Sequence, residues 1–151
     1  MMDFEATLSR LREHFDSGAT RPLAARLDSL RALERWLEHN EDAVLAALHE
    51  DLGKSACEAY LTEVAMIRQE LRHARKHLPK WVKPQRARTA LGQMPGACRV
   101  YSEPYGVALV MSPWNYPFQL SVAPLIGALC AGNCALLKPS AYAPATSALL
   151  E

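Results

Sequence analysis

The sequence of 151 residues has no long apolar run and no marked excess of charge of either sign. Its 17 Lys and Arg residues nearly balance its 16 Asp and Glu residues, so the formal net charge is only +1. Net charge therefore gives no reason to expect binding to nucleic acid or to an anionic membrane. The most apolar stretch, residues 107–137, is broken by prolines, asparagines and glycine, and it does not predict a transmembrane helix.

Signals for metal binding and for export are also lacking. No C-x-x-C pair and no histidine at ligand spacing accompanies the 4 cysteines, which are Cys57, Cys98, Cys130 and Cys134. We therefore expect buried thiols rather than a zinc site or disulfides. The first residues, Met1-Met2-Asp3-Phe4-Glu5, lack the basic and apolar regions of a secretory signal, which predicts a cytoplasmic protein.

The first part of the chain has the apolar periodicity of helices. The first predicted helix places these apolar residues on one face: Phe4, Leu8, Leu11 and Phe15. It ends at Gly18, and leucines repeat at helical spacing over residues 23–37 after Pro22. Asn40, followed by two acidic residues, is predicted to cap a further helix that ends at Gly53.

A capping box predicts the start of the next helix. Ser55 and Glu58 have the spacing at which a serine hydroxyl and a glutamate satisfy each other's free backbone N–H groups. Apolar residues then recur at helical spacing from Tyr60 to Leu78, which predicts a long amphipathic helix. We expect Pro79 to end it.

The region between Pro79 and Arg99 is rich in proline, glycine and basic residues. Pro95-Gly96 is predicted to turn a hairpin between weak strands at residues 87–94 and 97–103. The basic residues have few aromatic neighbours beyond Trp81. We interpret them as a solvated surface and expect no binding to nucleic acid.

Two short apolar runs flank a helix-length segment in the last third of the chain. Val107–Met111 is predicted to be a strand buried on both faces, and Cys134–Lys138 a second strand. Residues 118–131 are predicted to form a crossover helix, kinked or loosened at Pro124 and ended by Gly132-Asn133. This order predicts a right-handed βαβ unit. The fold class is therefore α/β, with N-terminal helices leading into a Rossmann-like parallel sheet.

The residues that follow these strands are candidates for a ligand site, because ligands of doubly wound sheets bind at the carboxyl ends of the strands. They are Ser112-Pro113-Trp114-Asn115-Tyr116-Pro117 after the first strand and Lys138-Pro139-Ser140 after the second. A rigidly held Asn115 amide could donate to an oxygen that becomes negative in a transition state, an effect typically of about 3 kcal/mol. The Lys138 ammonium could bind ribose hydroxyls or a phosphate.

Both residues also have purely structural interpretations. Asn115 could instead cap the following helix, and Lys138 could be a solvated strand end. The dinucleotide fingerprint G-x-G-x-x-G and the Walker A loop are absent from the sequence. A dinucleotide at this edge would therefore have to be held in another way.

Two motifs at this edge resemble those of the aldehyde dehydrogenase superfamily. They are Pro113-Trp114-Asn115-Tyr116-Pro117, and Ala131-Gly132-Asn133 followed by Lys138-Pro139-Ser140. Four other segments are similar to the class 3-like branch of that superfamily. They are residues 51–55 followed by 58–63, Trp81-Val82-Lys83-Pro84, Glu103-Pro104-Tyr105-Gly106-Val107 and residues 144–150. The resemblance thus covers nearly the whole chain.

The resemblance implies NAD(P)-dependent oxidation of aldehydes to carboxylic acids through a cysteine thiohemiacetal. Asn115 matches the family's oxyanion donor, and Lys138 matches the residue that bonds the adenosine ribose. The cofactor site would be lined, beside these two, by Ser112, Pro113, Trp114 and Ser140. The resemblance further implies a nucleotide-binding fold without G-x-G-x-x-G, a homodimer, and medium-to-long aliphatic or aromatic aldehydes as substrates.

The same resemblance divides the chain into three parts. Residues 1–86 are expected to be the helical part of the cofactor-binding domain, residues 87–103 the hairpin of an oligomerisation element, and residues 104–151 the first part of the NAD(P)-binding α/β domain. Ala141 stands where many NAD-preferring members have a glutamate that repels a 2′-phosphate. We therefore hypothesise that NADP is accepted alongside NAD.

The family's nucleophilic cysteine and general-base glutamate have no counterpart in this sequence. The chain is accordingly expected to be an inactive N-terminal fragment of the enzyme, with the catalytic domain absent. Two other functions stay open. One is a noncatalytic helical interaction module built on the first 78 residues, and the other is a nucleotide-binding protein without redox chemistry.

Overall fold

The computed structural model describes residues 3–151. Met1 and Met2 lie outside the described residues. They open the N-terminal segment whose composition predicts no export signal. The helices are α1 (Phe4–Asp16), α2 (Leu23–Leu52), α3 (Ala56–Ala59), α4 (Ala65–Trp81), α5 (Pro117–Ala131) and α6 (Pro144–Leu149). The strands are β1 (Gln85–Ala87), β2 (Cys98–Val100), β3 (Val107–Met111) and β4 (Cys134–Lys138). The α/β class predicted from the sequence is confirmed.

Helix α2 runs without interruption through the position where a new helix was predicted. The predicted cap at Asn40 is wrong, because its side-chain amide instead donates to the carbonyl oxygen of Trp36 at 2.7 Å, one turn earlier in the same helix. The apolar stripe continues past this point through Leu37 and Val44, both buried, so packing against the core sustains the helix. Gly53, with a φ of 67°, ends the helix as predicted.

The next helical segment begins as predicted but ends later. The Ser55 hydroxyl accepts from the backbone N–H of Glu58 at 3.2 Å. A π-helical turn, Tyr60–Val64, then joins α3 to α4. The end predicted at Pro79 is wrong, since α4 continues to Trp81. Pro79 lies in the last turn, where a proline removes only one helical hydrogen bond and the buried Leu78 beside it stays packed in the core.

The predicted hairpin is present, with shorter strands. β1 and β2 pair antiparallel from Gln85 opposite Val100 to Ala87 opposite Cys98. The prediction of the first strand at residues 87–94 is wrong except for Ala87, because most of those residues belong to the connection between the strands. The backbone N–H of Cys98, the first residue of β2, donates to the Thr89 hydroxyl at 3.1 Å, a local bond to the connection.

The βαβ unit has the strand bounds predicted from the sequence. β3 and β4 are parallel, with Val107 opposite Cys134 and Met111 opposite Lys138. Gly132, with a φ of 86°, ends α5 between them. The Asn133 side-chain oxygen accepts from the N–H of Gly106 at 2.9 Å, which joins the starts of the two strands.

The core lies between the long helices and α5. Its largest fully buried members include Leu30, Leu37, Leu48, Ile67, Leu71, Leu78, Phe118 and Ile126. The prediction that β3 is buried on both faces is wrong for the described residues. Leu109 is 56% exposed and Met111 is 66% exposed, because α5 packs on one face and α1 reaches only part of the other. None of the helices within residues 3–151 is both long enough and apolar enough to cross a membrane.

Candidate functional site

Two loops chosen from the sequence meet at one edge of the parallel sheet. Met111 and Lys138, the last residues of β3 and β4, are paired in register, and the backbone N–H of Ser112 donates to the carbonyl oxygen of Lys138 at 3.3 Å. The loop that contains Asn115 and the loop that contains Ser140 therefore leave the sheet side by side. Parallel pairing is what brings these distant segments together.

The Asn115 side chain does not cap α5. The residue at the N-cap is Tyr116, which makes no side-chain capping bond. Asn115 is exposed, and the hydrogen bond that involves it within residues 3–151 uses its backbone carbonyl. The structural interpretation of Asn115 as a cap is therefore wrong, and its amide is available to donate to a ligand.

A buried carboxylate caps α5 instead. Glu63 lies in the π-helical turn and is 0% exposed. Its Oε2 accepts from the backbone N–H groups of Phe118 at 2.9 Å and Gln119 at 3.0 Å. These are free donors of the first helical turn, where negative charge is also favoured by the helix dipole. Glu63 thus fixes where α5 begins and where the loop before it ends.

Lys54 neutralises this carboxylate and contacts the loop directly. Its ammonium lies 2.5 Å from Glu63 Oε1 and donates to the carbonyl oxygen of Asn115 at 3.4 Å. It also lies 4.1 Å from the centre of the Tyr116 ring, within the range of a cation–π interaction. The Lys54 side chain is only 9% exposed. One buried cation therefore links the helical layer, formed by α2, α3 and α4 with the turns between them, to two consecutive residues of the loop.

The first three residues of this loop, Ser112, Pro113 and Trp114, differ in their exposure to solvent. Ser112 is buried, and its Oγ lies 2.6 Å from that of Ser121. Because the Ser121 hydroxyl donates to the Pro117 carbonyl at 2.6 Å, the Ser112 hydroxyl is the donor of the pair. Its side chain is thus held inside the protein. Pro113 is exposed, and Trp114 is 53% exposed at the same edge.

The second loop, which follows β4, also precedes a helix whose first turn is bound by a carboxylate. Lys138 is exposed, and the hydroxyl of Ser140 accepts from the backbone N–H of Tyr142 at 3.2 Å. The Asp51 carboxylate, at the end of α2, accepts from the N–H groups of Ala145 at 2.9 Å and Thr146 at 2.8 Å. It also accepts from the Thr146 hydroxyl at 2.7 Å. Each loop is therefore followed by a helix whose first turn is bound by a carboxylate of the helical layer.

All four cysteines are free thiols, and each lies on a different element. Cys57 is exposed and Cys98 half-buried, whereas Cys130 and Cys134 are buried. Burial raises the pKa of the Cys130 thiol, the charge of Glu70 raises it further, and Arg26 opposes the shift. Burial alone raises the pKa of Cys134. These two thiols are therefore poor nucleophiles in the folded chain.

Sequence reasoning missed the three charged residues that support the loops. Lys54, Glu63 and Asp51 were noted only as part of a resembling segment. One signal was present, because Glu63 stands four residues before Ile67 and so continues the apolar stripe of α4. A carboxylate on the buried face of a helix requires a charged or hydrogen-bonding partner. The neighbouring residues in the sequence do not indicate which residue that partner is.

Comparisons with known proteins agree on one family. The family model described as "Aldehyde dehydrogenase family" matches residues 1–151. The chain is 45% identical over 143 residues to aldehyde dehydrogenase family 3 member H1 of Arabidopsis thaliana, covering 95% of the chain and 30% of that protein. It is 42% identical over 150 residues to family 3 member B1 of Bos taurus, covering 99% of the chain and 32% of that protein.

A solved structure gives the same result for the fold. The chain resembles the substrate-bound state of Staphylococcus aureus AldH with a TM-score of 0.96 and 36% identity, covering 99% of the chain and 33% of that structure. The chain thus spans about a third of the length of the proteins it matches. The family model matches along the whole sequence, and the fold is shared with a solved member. This chain therefore belongs to the aldehyde dehydrogenase family, with family 3 members among its relatives.

Proposed function

We propose that this chain is the first part of an NAD(P)-dependent aldehyde dehydrogenase that oxidises aldehydes to carboxylic acids. The observation that carries the proposal is the state of Asn115. Asn115 is exposed while its backbone carbonyl is bound by a buried lysine, and its loop follows the strand whose last residue, Met111, pairs with Lys138. A fixed backbone with a free side-chain donor is what stabilisation of a developing negative charge requires.

Asn115 would donate from its Nδ2 to the aldehyde oxygen as that oxygen gains negative charge. Such a donor accelerates a reaction when its position is set before the charge develops. Pro113 and Pro117 restrict the loop on either side of Asn115. The Lys54 contact to its carbonyl adds a third restraint, at 3.4 Å.

The side chains at the sheet edge fit a nicotinamide dinucleotide. Lys138 presents an exposed cation that suits ribose hydroxyls or a phosphate, and Trp114, in the loop after β3, is also exposed. Ser140 lies at the same edge, whereas Ser112 and Pro113 would line the site through their backbone. When bound, the nicotinamide supplies the two-electron acceptor for the oxidation. Ala141 is exposed and adds no carboxylate, so both NAD and NADP would be accepted.

The rest of the reaction is assigned to residues outside this chain. The nucleophilic cysteine that forms the thiohemiacetal and the general-base glutamate belong to the remaining two thirds of the protein, so residues 1–151 alone would be inactive. By family resemblance, the substrates are medium-to-long aliphatic or aromatic aldehydes. The active protein would be a cytoplasmic homodimer, with the hairpin formed by β1 and β2 in its oligomerisation element.

The test is an activity assay on the complete polypeptide that contains this chain. Octanal and benzaldehyde should each cause reduction of NAD or NADP, followed by absorbance of the reduced nicotinamide, with release of the carboxylic acid. Residues 1–151 alone should give none. Nucleotide binding without turnover would make the protein a nucleotide-binding protein without redox chemistry. Absence of both binding and turnover would favour a helical interaction module.

A further inference from the structure

We infer that Lys54 and Glu63 are positioning residues that set the location of the Asn115 amide. This inference rests on the proposed function, because it assigns Asn115 a task in aldehyde oxidation. Neither residue reaches the exposed edge, since the Lys54 side chain is 9% exposed and that of Glu63 is 0% exposed. Each acts through the loop backbone that it contacts.

Glu63 fixes the loop from its carboxyl-terminal side. Its Oε2 accepts from the N–H groups of Phe118 and Gln119, at 2.9 and 3.0 Å. The first of these contacts, at Phe118, lies three positions after Asn115. The carboxylate is carried by the π-helical turn Tyr60–Val64, in which the backbone departs from the regular helix. Such turns often occur where a helix must direct a side chain at a functional site.

Lys54 fixes the loop at Asn115 itself. Its Nζ bonds Glu63 Oε1 at 2.5 Å, the Asn115 carbonyl oxygen at 3.4 Å, and faces the Tyr116 ring at 4.1 Å. A lysine that served only to neutralise Glu63 would need the first of these contacts alone. The other two hold the Asn115 backbone carbonyl and the Tyr116 ring, and they leave the Asn115 side chain free.

The energetics of buried ion pairs also favour positioning. Replacing such a pair with apolar residues of similar volume is often neutral or stabilising, so stability by itself does not account for it. A pair that holds a loop in one place has a different role, because a displacement of about 1 Å at a reacting group can reduce the rate roughly 100-fold. The Lys54–Glu63 pair joins the helical layer to the one loop that carries the proposed oxyanion donor.

The test compares three variants of the complete enzyme. Lys54→Met removes the cation and leaves Glu63 buried without its partner, so this variant can lose stability as well as activity. The double variant Lys54→Met/Glu63→Gln removes both charges and keeps an oxygen that accepts from Phe118 and Gln119. Glu34→Gln is the control, because it breaks a different ion pair, Arg75–Glu34, which joins α2 to α4 and does not involve the loop.

The double variant should regain the thermal stability that Lys54→Met loses, but it should not regain the activity. We expect its kcat to stay roughly 100-fold below that of the wild type, because Asn115 and Tyr116 still lack their contact with Lys54. In an Asn115→Ala background the same double change should alter kcat little, since its effect acts through Asn115. Glu34→Gln should leave kcat unchanged. Recovery of kcat together with stability, or a full multiplicative loss in the Asn115→Ala background, would overturn the inference.

Hydrogen exchange separates this inference from the proposed function. Backbone amides of residues 112–121 should exchange faster in the double variant than in the wild type, with no change in Glu34→Gln. Faster exchange in a protein that oxidises no aldehyde would contradict the proposed function and leave the restraint of the loop in place. Unchanged exchange together with unchanged kcat would refute the positioning role while the proposed function stands.

Discussion

The Glu63 carboxylate lies 2.9 Å from the backbone nitrogen of Phe118, although 55 residues separate them in the sequence. This contact joins the helical layer to the first turn of α5, and Asp51 makes the equivalent contact with the first turn of α6. The two loops of the candidate site are thus each followed by a helix whose start is bound by a distant carboxylate. The helices of the first half of the chain therefore hold in place the two helices that follow the loops of the candidate site.

Loss of the Glu63 carboxylate should destabilise the protein strongly. Glu63→Ala leaves the Lys54 cation buried without its partner and frees two N–H groups of α5, so the free energy of unfolding should fall by about 3 to 5 kcal/mol. Urea unfolding followed by circular dichroism measures this change. Glu34→Ala is the control, since the Glu34 and Arg75 side chains are 28% and 35% exposed. It should cost at most about 1 kcal/mol, and equal losses in both variants would contradict the account.

Removal of the Asp51 carboxylate should loosen the second loop. Asp51→Ala deprives Ala145 and Thr146 of their acceptor, and loss of a helix cap typically costs about 1 kcal/mol. Amides of α6 should exchange faster with solvent, and Asp51→Asn, which keeps one oxygen, should show a smaller effect. Glu50→Ala removes an exposed neighbouring carboxylate and serves as the control. Equal exchange in all three variants would show that the cap does not hold this helix.

A carboxylate at position 141 should change the preference for cofactor. Ala141→Glu introduces a negative charge where a 2′-phosphate would lie, so KM for NADP should rise at least about tenfold while KM for NAD changes little. Steady-state kinetics of the complete enzyme with both cofactors measure this. Ala141→Gln controls for side-chain size. Negligible use of NADP by the wild type would contradict this prediction. An equal KM for NADP in Ala141→Glu and Ala141→Gln would contradict it as well.

Burial of Cys130 and Cys134 should appear in their reactivity. Iodoacetamide should modify Cys57 first, because it is exposed, and leave the two buried thiols unmodified until the protein unfolds. Mass spectrometry of digests measures the order. Early modification of Cys134 in the folded protein would mean that the start of β4 opens readily.

The same two thiols should make stability depend on alkaline pH. Burial raises the pKa of both above the ordinary value of 9.0, so the folded state holds their protons more tightly than the unfolded state does. Their contribution is therefore complete below the unfolded value and is lost as pH rises through the folded one. The wild type should lose stability above pH 9.0 more steeply than a Cys130→Ala/Cys134→Ala variant. Parallel curves would count against this assignment.

The βαβ unit could be predicted from the sequence because its signals are local. Both strands, Val107–Met111 and Cys134–Lys138, are short apolar runs with glycine or proline at their borders, and Gly132 adopts the positive φ that ends the helix between them. The choice of Asn115 and Lys138 then followed from a general rule about the edges of parallel sheets. The register that pairs Met111 with Lys138 puts the ends of β3 and β4, after which the two loops begin, at the same edge of the sheet.

The remaining features depend on contacts between distant residues. Asn40 has the composition of a cap, but the buried face of α2 continues through it, so tertiary packing prevailed over the local preference. Leu109 lies in an apolar strand and is nevertheless 56% exposed, because nothing within residues 3–151 covers that part of the sheet. The partners of Glu63 could not be predicted, since no local pattern specifies a contact across 55 residues.

The most direct test of the account is the effect of Asn115→Ala on turnover and on cofactor binding in the complete enzyme. If the Asn115 amide is the oxyanion donor, kcat for aldehyde oxidation should fall by about 100- to 1000-fold. The Kd for NADP, measured by fluorescence titration, should stay within about twofold, because the Lys138 strand end is untouched. Asn40→Ala, in the middle of α2, is the matched control and should change neither quantity. An unchanged kcat in Asn115→Ala would contradict the account and leave Asn115 as a residue of the loop alone.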